Sequence, residues 1–165
     1  MALFLFILWY IFPMEHKFAI TEMTAHDADY VLAMMLDLYM SDAVIHKPDV
    51  DTLKRNIEAC LSKEYPVTGY VFKVDDDIVG YSMIVESFST EYGVPCIWIE
   101  DLYIKPKFRH RGIGQTYVQF IENKFPIDKY RIRLEVEAHN ESAKRFYDNA
   151  GMTDILYIQK EFKMK

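Results

Sequence analysis

The spacing of hydrophobic positions changes repeatedly along the chain, and each change predicts a switch between strand and helix. Apolar residues at Val31, Met34, Met35 and Leu38 recur at the interval of one helix face. The acidic run at residues 75–77 separates two apolar stretches and is typical of a hairpin turn. The first half therefore predicts a strand at 18–23, a helix N-capped by Thr24, a loop at 41–48, a helix from Asp49 or Asp51 to Leu61, and strands at 67–74 and 78–87.

The second half continues this alternation. Residues 131–137 place apolar and charged side chains strictly in turn, as expected of a strand with one buried face. Gly151 follows a helical stretch in the position of a C-terminal cap. The predicted elements are a strand at 96–104 ended by Pro106, a helix at 112–125, a strand at 131–137, a helix at 142–149 and a strand at 152–164.

The first fourteen residues carry no charge and are almost wholly apolar. They fall short of the about 20 apolar residues that a membrane-spanning helix needs. They also lack the basic start and small-residue cleavage site of a secretory signal. We therefore expect residues 1–13 to be an apolar extension, not native to the domain, with a membrane-surface anchor as the alternative. Stable membrane insertion is not expected.

A length of 165 residues with 51% hydrophobic and 27% charged residues fits one folded domain, which we place at residues 14–165. The two cysteines, Cys60 and Cys96, lack metal-ligand spacing and suit a reduced, cytoplasmic protein. The five histidines are likewise not spaced as ligands, and no metal is expected.

Charge is distributed unevenly although the net charge is only −6. Residues 1–104 contain 6 Lys and Arg against 17 Asp and Glu, whereas residues 105–165 contain 13 against 8. This acidic balance argues against a nucleic-acid-binding protein. It suits a protein that meets an anion with its second half and a cation with its first.

The strongest chemical motif follows the strand at 96–104. Arg109, His110, Arg111, Gly112, Ile113 and Gly114 precede a predicted helix, and glycines there allow backbone amides to approach an anion. The alternative is a basic helix cap without a ligand. The dinucleotide and P-loop patterns are absent, which weakens those two classes of nucleotide site.

The run IEDLYIKP at 99–106, followed by FRHRGIG at 108–114, resembles the acyl-CoA signature of the GNAT acyltransferase superfamily. A second run, with Leu134-Glu135-Val136, Asn140, Ala143 and Phe146-Tyr147, resembles that family's later signature. The resemblance implies an α+β (α/β-type) GNAT fold. Its mixed, mostly antiparallel and twisted sheet would have six or seven strands, splay at the centre and carry about four flanking helices.

The resemblance also implies acetyl-CoA as the co-substrate. Backbone groups of Leu102, Tyr103 and Ile104 would pair with the pantetheine arm, and the amides from Arg109 to Gly114 would hold the pyrophosphate. Asn140 would border the thioester, and Lys144 is a further expected cofactor contact.

The chemistry of amine acetylation requires a base for the ammonium proton and a donor for the departing thiolate. Glu100 interrupts an otherwise apolar strand and is the base candidate. Tyr147 follows Asn140 on a predicted helix and is the donor candidate. The alternatives are a paired strand-edge charge for Glu100 and a core aromatic for Tyr147.

The acceptor is less well defined by the sequence. The Glu-Asp pair at 100–101 resembles the spermidine/spermine N-acetyltransferase branch, and we expect a small-molecule amine acceptor. Asp42, His46, Glu86 and Tyr92 are the candidate acceptor contacts. A peptide N-terminal acetyltransferase and a non-catalytic acetyl-CoA-binding module stay open as alternatives, and a homodimer is an additional expectation.

Overall fold

A computed structural model describes residues 17–162, so the interpretation of residues 1–13 lies outside the described part of the chain. Short 3₁₀ turns occupy Ala25–Asp27 and Pro106–Phe108. The regular elements in chain order are β1 (Phe18–Glu22), α1 (Ala28–Met40), α2 (Val50–Ser62), β2 (Val67–Val74), β3 (Asp77–Ser89), β4 (Val94–Ile104), α3 (Ile113–Lys124), β5 (Arg131–Leu134) and α4 (Glu141–Asn149).

The strands form one sheet in the order β1-β2-β3-β4-β5. Neighbouring strands are antiparallel except β4 and β5, which are parallel. A mixed, mostly antiparallel sheet flanked by four α-helices is confirmed for the described residues. None of these helices is long and apolar enough to cross a bilayer.

The expected count of six or seven strands is wrong for the described residues, which contain five. The strand predicted at 131–137 ends at Leu134, and residues 152–162 are not a strand. Alternation reports which way side chains point, but a strand also needs a hydrogen-bonded neighbour. In the part of the chain that the structure describes, residues 135–137 lack such a neighbour because β4 and β5 diverge there.

This divergence of the two parallel strands is the splay that the fold class predicts. Backbone pairing runs from Cys96 opposite Arg131 to Ile99 opposite Leu134 and then stops. Beyond Ile99 the edge of β4 that faces β5 has no strand partner among the described residues. A cleft therefore opens at the centre of the sheet.

A β-bulge lies at the mouth of this cleft. Met83 of β3 is opposite Asp101, whereas the next residue, Ile84, is opposite Ile99, so Glu100 has no opposite residue. The extra residue reverses which side chains face each side of the sheet. Before the bulge, Ile97 and Ile99 pack with α3, and after it Tyr103 packs with α1 and α2.

The helix ends largely follow the polar residues that the sequence offers. Asp49 Oδ1 accepts a hydrogen bond from the Thr52 amide at 2.7 Å and caps α2. Gly151 has a φ of +86° just after α4, which confirms its prediction as a cap. Thr24 caps the 3₁₀ turn instead, where Asp27 accepts from its amide and hydroxyl, and α1 begins only at Ala28.

Candidate active site

A cavity of about 380 Å³ occupies the cleft between β4 and β5. Its walls are the bulged part of β4, residues 134–137, one side of α4 and the loop after α1. Five of the residues singled out from the sequence line it together: His46, Glu100, Leu102, Asn140 and Tyr147. A volume of this size and its position at an opening in a sheet are typical of a small-molecule site.

Glu100 enters the cavity wall because the bulge directs it there. Partial burial raises the pKa of its carboxyl group, and the nearby carboxylates of Asp101 and Glu135 raise it further. A carboxylate with a raised pKa is a stronger base once it has lost its proton. The geometry is therefore suited to accepting a proton from a molecule held in the cavity.

Tyr147 lines the same cavity from helix α4. Its ring packs edge-on against Phe146, with the centroids 4.9 Å apart. Burial raises the pKa of the Tyr147 hydroxyl to about 12, so it carries its proton at neutral pH. This hydroxyl makes no hydrogen bond to another residue within 17–162 and can donate to a ligand.

The turn before α3 presents backbone amides. Gly112, at the N-cap of α3, has a φ of +82°, in the left-handed region that favours glycine. The amides of His110, Arg111, Gly112, Ile113 and Gly114 have no acceptor in the described chain, whereas the Arg109 amide donates to the Pro106 carbonyl at 3.2 Å. Free amides at a helix N-terminus form a site for a phosphate group.

The side chains around this turn mostly serve packing. Arg109 Nε donates to the Ile104 carbonyl at 2.8 Å, and Arg111 lies 5.4 Å from the Phe108 ring centroid. Ile113 is 1% exposed in the core, which leaves its amide as the group available to a ligand. A Cβ at Gly114 would come within 3.0 Å of the Phe146 ring, so this glycine allows α3 to approach α4.

The three residues predicted to contact pantetheine differ in whether side chain or backbone atoms face the cleft. Leu102 lines the cavity and belongs to the unpaired edge of β4. The Tyr103 side chain points to the other side of the sheet, where its hydroxyl donates to Asp37 at 3.2 Å and the Arg109 guanidinium lies over its ring. Tyr103 and Ile104 could therefore contact a ligand in the cleft through backbone atoms only.

Asn140 and Lys144 lie at the start of α4. Asn140 Oδ1 accepts a hydrogen bond from the Ala143 amide at 3.1 Å and thereby caps the helix. Asn140 also lines the cavity. Lys144 Nζ lies 3.0 Å from Glu141 Oε1 on the surface and does not line the cavity. The role of Asn140 as a helix cap was not foreseen in the sequence.

The four candidate acceptor contacts are not brought together. His46 lines the cavity, and Asp42 lies exposed in the same loop but outside the lining. Glu86 is exposed on β3, and Tyr92 is exposed in the turn between β3 and β4 beneath the Arg131 guanidinium. Neither Glu86 nor Tyr92 reaches the cavity.

Sequence reasoning missed a buried polar cluster at the cavity floor. Asp101 is 6% exposed and accepts hydrogen bonds from the Tyr39 hydroxyl at 2.9 Å and the Tyr81 hydroxyl at 3.0 Å. Burial raises the pKa of the Asp101 carboxyl group, while these two hydroxyls oppose that shift. Tyr39 lines the cavity, so this cluster fixes part of the wall.

Glu135 and Glu137 were also missed, and they complete an acidic lining with Glu100 and Asp101. The available signal was the alternation at 131–137, which placed both glutamates on one face of a strand. Among residues 17–162, no group of three or more potential metal ligands comes together.

Comparison with known families and solved structures agrees with this fold. The model of the "Acetyltransferase (GNAT) family" matches residues 32–152, and the chain belongs to this family. The crystal structure of "a possible acetyltransferase from Clostridium difficile 630" superposes with a TM-score of 0.79 at 25% identity, covering 90% of this chain and 98% of that one.

Two curated relatives extend the comparison. The "Uncharacterized N-acetyltransferase in pepI 3'region" of Lactobacillus delbrueckii subsp. lactis is 37% identical over 87 residues, covering 51% of this chain and 50% of the relative. The "Thialysine N-epsilon-acetyltransferase" of Caenorhabditis elegans is 26% identical over 145 residues, covering 84% and 85%. The chain thus spans about half the length of the first curated relatives that it matches.

Proposed function

We propose that this protein is an N-acetyltransferase that moves the acetyl group of acetyl-CoA to a primary amine of a small molecule. The observation that carries the proposal is the cavity between the splayed strands, with the Glu100 carboxylate and the Tyr147 hydroxyl on its walls. Membership of the GNAT family and the relatives named as N-acetyltransferases support the reaction class.

The residues before α3 fit the charged part of acetyl-CoA. Five consecutive amides without an acceptor, from His110 to Gly114, match the need of a pyrophosphate for several donors. The left-handed Gly112 leaves this turn open because it has no Cβ. The free edge of β4 beyond Ile99 offers backbone groups to the amides of the pantetheine arm.

The chain's own residues account for the proton transfers. Acetyl-CoA supplies an acetyl thioester when it is bound. Glu100 takes one proton from the acceptor ammonium, which frees the nitrogen lone pair to form the new C–N bond. The C–S bond breaks, and Tyr147 gives its proton to the departing sulfur. The second proton that the nitrogen loses on becoming an amide returns to Tyr147 through water.

The acidic lining favours a cationic acceptor. Glu100, Asp101, Glu135 and Glu137 border one cavity, and their combined charge attracts an ammonium group. The relative that spans most of the chain is named for N-epsilon acetylation of thialysine, a small amine. We therefore propose small, diamine-like molecules as acceptors, with a peptide N-terminus as the alternative.

The experiment is an acceptor panel followed by release of free CoA thiol. Diamines, amino acids with side-chain amines, and N-terminal peptides would be compared at equal concentration with acetyl-CoA. We expect the highest kcat/KM on a small amine. Preference for peptides would establish the alternative, and acetyl-CoA binding without any turnover would establish a non-catalytic binding module.

The proposed location is the cytoplasm. Cys60 and Cys96 are both free thiols and both buried. Unpaired cysteines fit a reducing compartment, where disulfides are rare.

A further inference from the structure

Two arginines lie on the same side of β5, and they differ in their partners. The Arg131 guanidinium lies over the Tyr92 ring, and its Nη1 is 3.1 Å from Glu91 Oε2. The Arg133 guanidinium lies over the Trp98 ring in the same way, with its Cζ 4.1 Å from the centroid. Arg133 makes no hydrogen bond or ion pair in the described part of the chain. Only Arg133 is therefore left without an anionic partner.

The missing partner of Arg133 is an exception in this structure. Its Nε is the only buried side-chain nitrogen or oxygen among residues 17–162 that lacks a hydrogen-bond partner. A buried charged donor without an acceptor lowers the stability of a fold and calls for an explanation. Stacking on Trp98 fixes the plane of the guanidinium but satisfies none of its N–H groups. Because Arg133 as a whole is only partly buried, a small anion can reach the guanidinium.

Arg133 adjoins the acidic side of the proposed acceptor cavity. The pairing of β4 with β5 sets Arg133 opposite Trp98, and two residues further along the chain lie Glu135 and Glu100, which both line the cavity. Two residues of a strand span roughly 7 Å. Glu135 does not pair with Arg133, because its carboxylate accepts a hydrogen bond from the Gln159 side chain. The margin of the cavity thus presents a positive group and the cavity itself presents negative groups at this spacing.

This charge pattern matches a molecule with an ammonium group at one end and a carboxylate at the other. The ammonium fits beside the Glu100 carboxylate, and the carboxylate fits the planar guanidinium of Arg133, whose N–H groups can donate two parallel hydrogen bonds. At about 1.5 Å per bond, a chain of roughly four to six bonds spans the distance. A simple diamine has the same length but would place its second ammonium beside Arg133, which is repulsive.

We propose that Arg133 determines acceptor specificity by binding a carboxylate, so that the acceptors are amino acids with a terminal side-chain amine. The inference rests on the proposed function, because it uses the same cavity and the same base. It narrows the class of small amines to those that also carry a negative charge. Trp98 acts as the positioning residue that holds the guanidinium in place.

The first test compares three acceptors of similar length with acetyl-CoA: lysine, lysine amide and cadaverine. Lysine amide keeps the shape of lysine and removes only the negative charge. We expect kcat/KM for lysine to exceed that for the amide by roughly 100-fold, mainly through KM, which is the size typical of charged hydrogen bonds. Cadaverine, which has no carboxylate, should resemble the amide.

The second test assigns this preference to one arginine. Arg133→Met keeps an unbranched side chain and removes the charge, so kcat/KM on lysine should fall by roughly 100-fold while kcat/KM on the amide stays the same. Arg131→Met is the matched control, because Arg131 lies on the same side of β5, stacks on a ring and is paired with Glu91. It should leave both values unchanged. Arg133→Lys keeps the charge but not the planar fork and should restore part of the preference.

The third test measures binding without turnover. Lysine and lysine amide are titrated by calorimetry into the full chain loaded with CoA, which carries no acetyl group. We expect lysine to bind more tightly than the amide, and Arg133→Met to abolish this difference. The Tm of Arg133→Met should match that of the wild type, because the guanidinium has no protein partner to lose.

Each contrary result has a distinct meaning. Acetylation of lysine and lysine amide with equal kcat/KM would overturn the carboxylate site and leave the acetyltransferase activity in place. An equal loss on both acceptors together with a lowered Tm in Arg133→Met would make Arg133 a packing residue and overturn the proposal as well. If no amine is acetylated, the proposed function fails, and the titration still decides: a lysine preference that depends on Arg133 supports the carboxylate site, whereas equal binding or no binding of lysine refutes it.

Discussion

Glu100 lies in the cavity wall because β4 contains one residue more than β3 at that point. If it is the general base, Glu100→Gln should lower kcat by roughly 10²–10⁴-fold, the contribution typical of a positioned base. Affinity for acetyl-CoA should change little, because the amide turn before α3 is untouched. Steady-state kinetics and calorimetry measure the two quantities.

The control for this change is Glu122→Gln, which alters an exposed glutamate on α3. Its kcat should equal that of the wild type. Equal kcat in Glu100→Gln would remove Glu100 from the reaction, and a lowered Tm in that variant would indicate damage to the bulge.

The neighbouring carboxylate of Glu135 predicts a pH effect. It is one of the charges that raise the pKa of Glu100. A base works only when deprotonated, so activity rises as pH increases through this pKa. Glu135→Gln removes a negative neighbour and lowers the pKa of Glu100, which should shift the acidic limb of the kcat/KM profile to lower pH. An unshifted acidic limb would show that the charge of Glu135 does not affect the pKa of the catalytic base.

The Tyr147 hydroxyl is expected to matter most when the leaving thiol is a poor one. Tyr147→Phe keeps the ring and most of its buried area but removes the proton. We expect kcat to fall, and the fall to shrink with an acyl donor whose thiol is more acidic. An identical loss with both donors would indicate that the tyrosine acts through packing.

At the residue scale, the two sequence motifs predicted several of the residues that line the cavity, because those residues are close together in the sequence. Glu100, Leu102, Asn140 and Tyr147 stand within two short signatures, and the structure places all four around one cavity. The cluster of Asp101, Tyr39 and Tyr81 could not be read in this way. Tyr81 lies 20 positions from Asp101 in the sequence and reaches it through the pairing of β3 with β4. Tyr39 lies 62 positions away and reaches it through the packing of α1 on the sheet.

At the scale of elements, substitutions at two glycines test whether the turn before α3 binds an anionic group. Gly112 and Gly93 both have positive φ, at +82° and +67°. Valine at either position costs about 1–3 kcal/mol of backbone strain. Only Gly112→Val also adds a branched side chain to the amides before α3, so it should weaken acetyl-CoA binding while Gly93→Val leaves binding unchanged.

Calorimetric titration of both variants separates strain from binding. Equal affinity in the folded Gly112→Val variant would show that the turn does not hold the cofactor. The Gly93 position is suited to the control because nothing lies within 4 Å of a Cβ there.

Most strands and helices of the described chain were predictable, because each has a clear period and a polar or glycine residue at its end. The strand β2 has the predicted bounds of 67–74, and α2 begins after the Asp49 cap. The bulge was not predictable, since it appears only when β4 is aligned with β3. The same reason explains residues 135–137, whose alternation is genuine although no strand within residues 17–162 pairs with them.

At the scale of the whole molecule, the uneven charge has a structural counterpart. The basic run 105–111 adjoins the amide turn, while carboxylates line the cavity in the cleft. An anionic co-substrate and a cationic acceptor would thus meet surfaces of opposite sign. Net charge alone gave no hint of this separation, which depends on the order of charged residues along the chain.

The fold as a whole should be stabilised by acetyl-CoA, because the ligand would contact β4, the turn before α3 and α4 together. At a concentration 100 times the Kd, binding adds about 2.7 kcal/mol to the free energy of unfolding. For a chain of this size, that gain corresponds to roughly 5–10 °C in Tm. Acetyl-pantetheine, which lacks the pyrophosphate, should raise the Tm less at the same concentration, and Gly112→Val should reduce the difference between the two ligands. A thermal melt at millimolar acetyl-CoA measures the shift, and an unchanged Tm would contradict acetyl-CoA as the co-substrate.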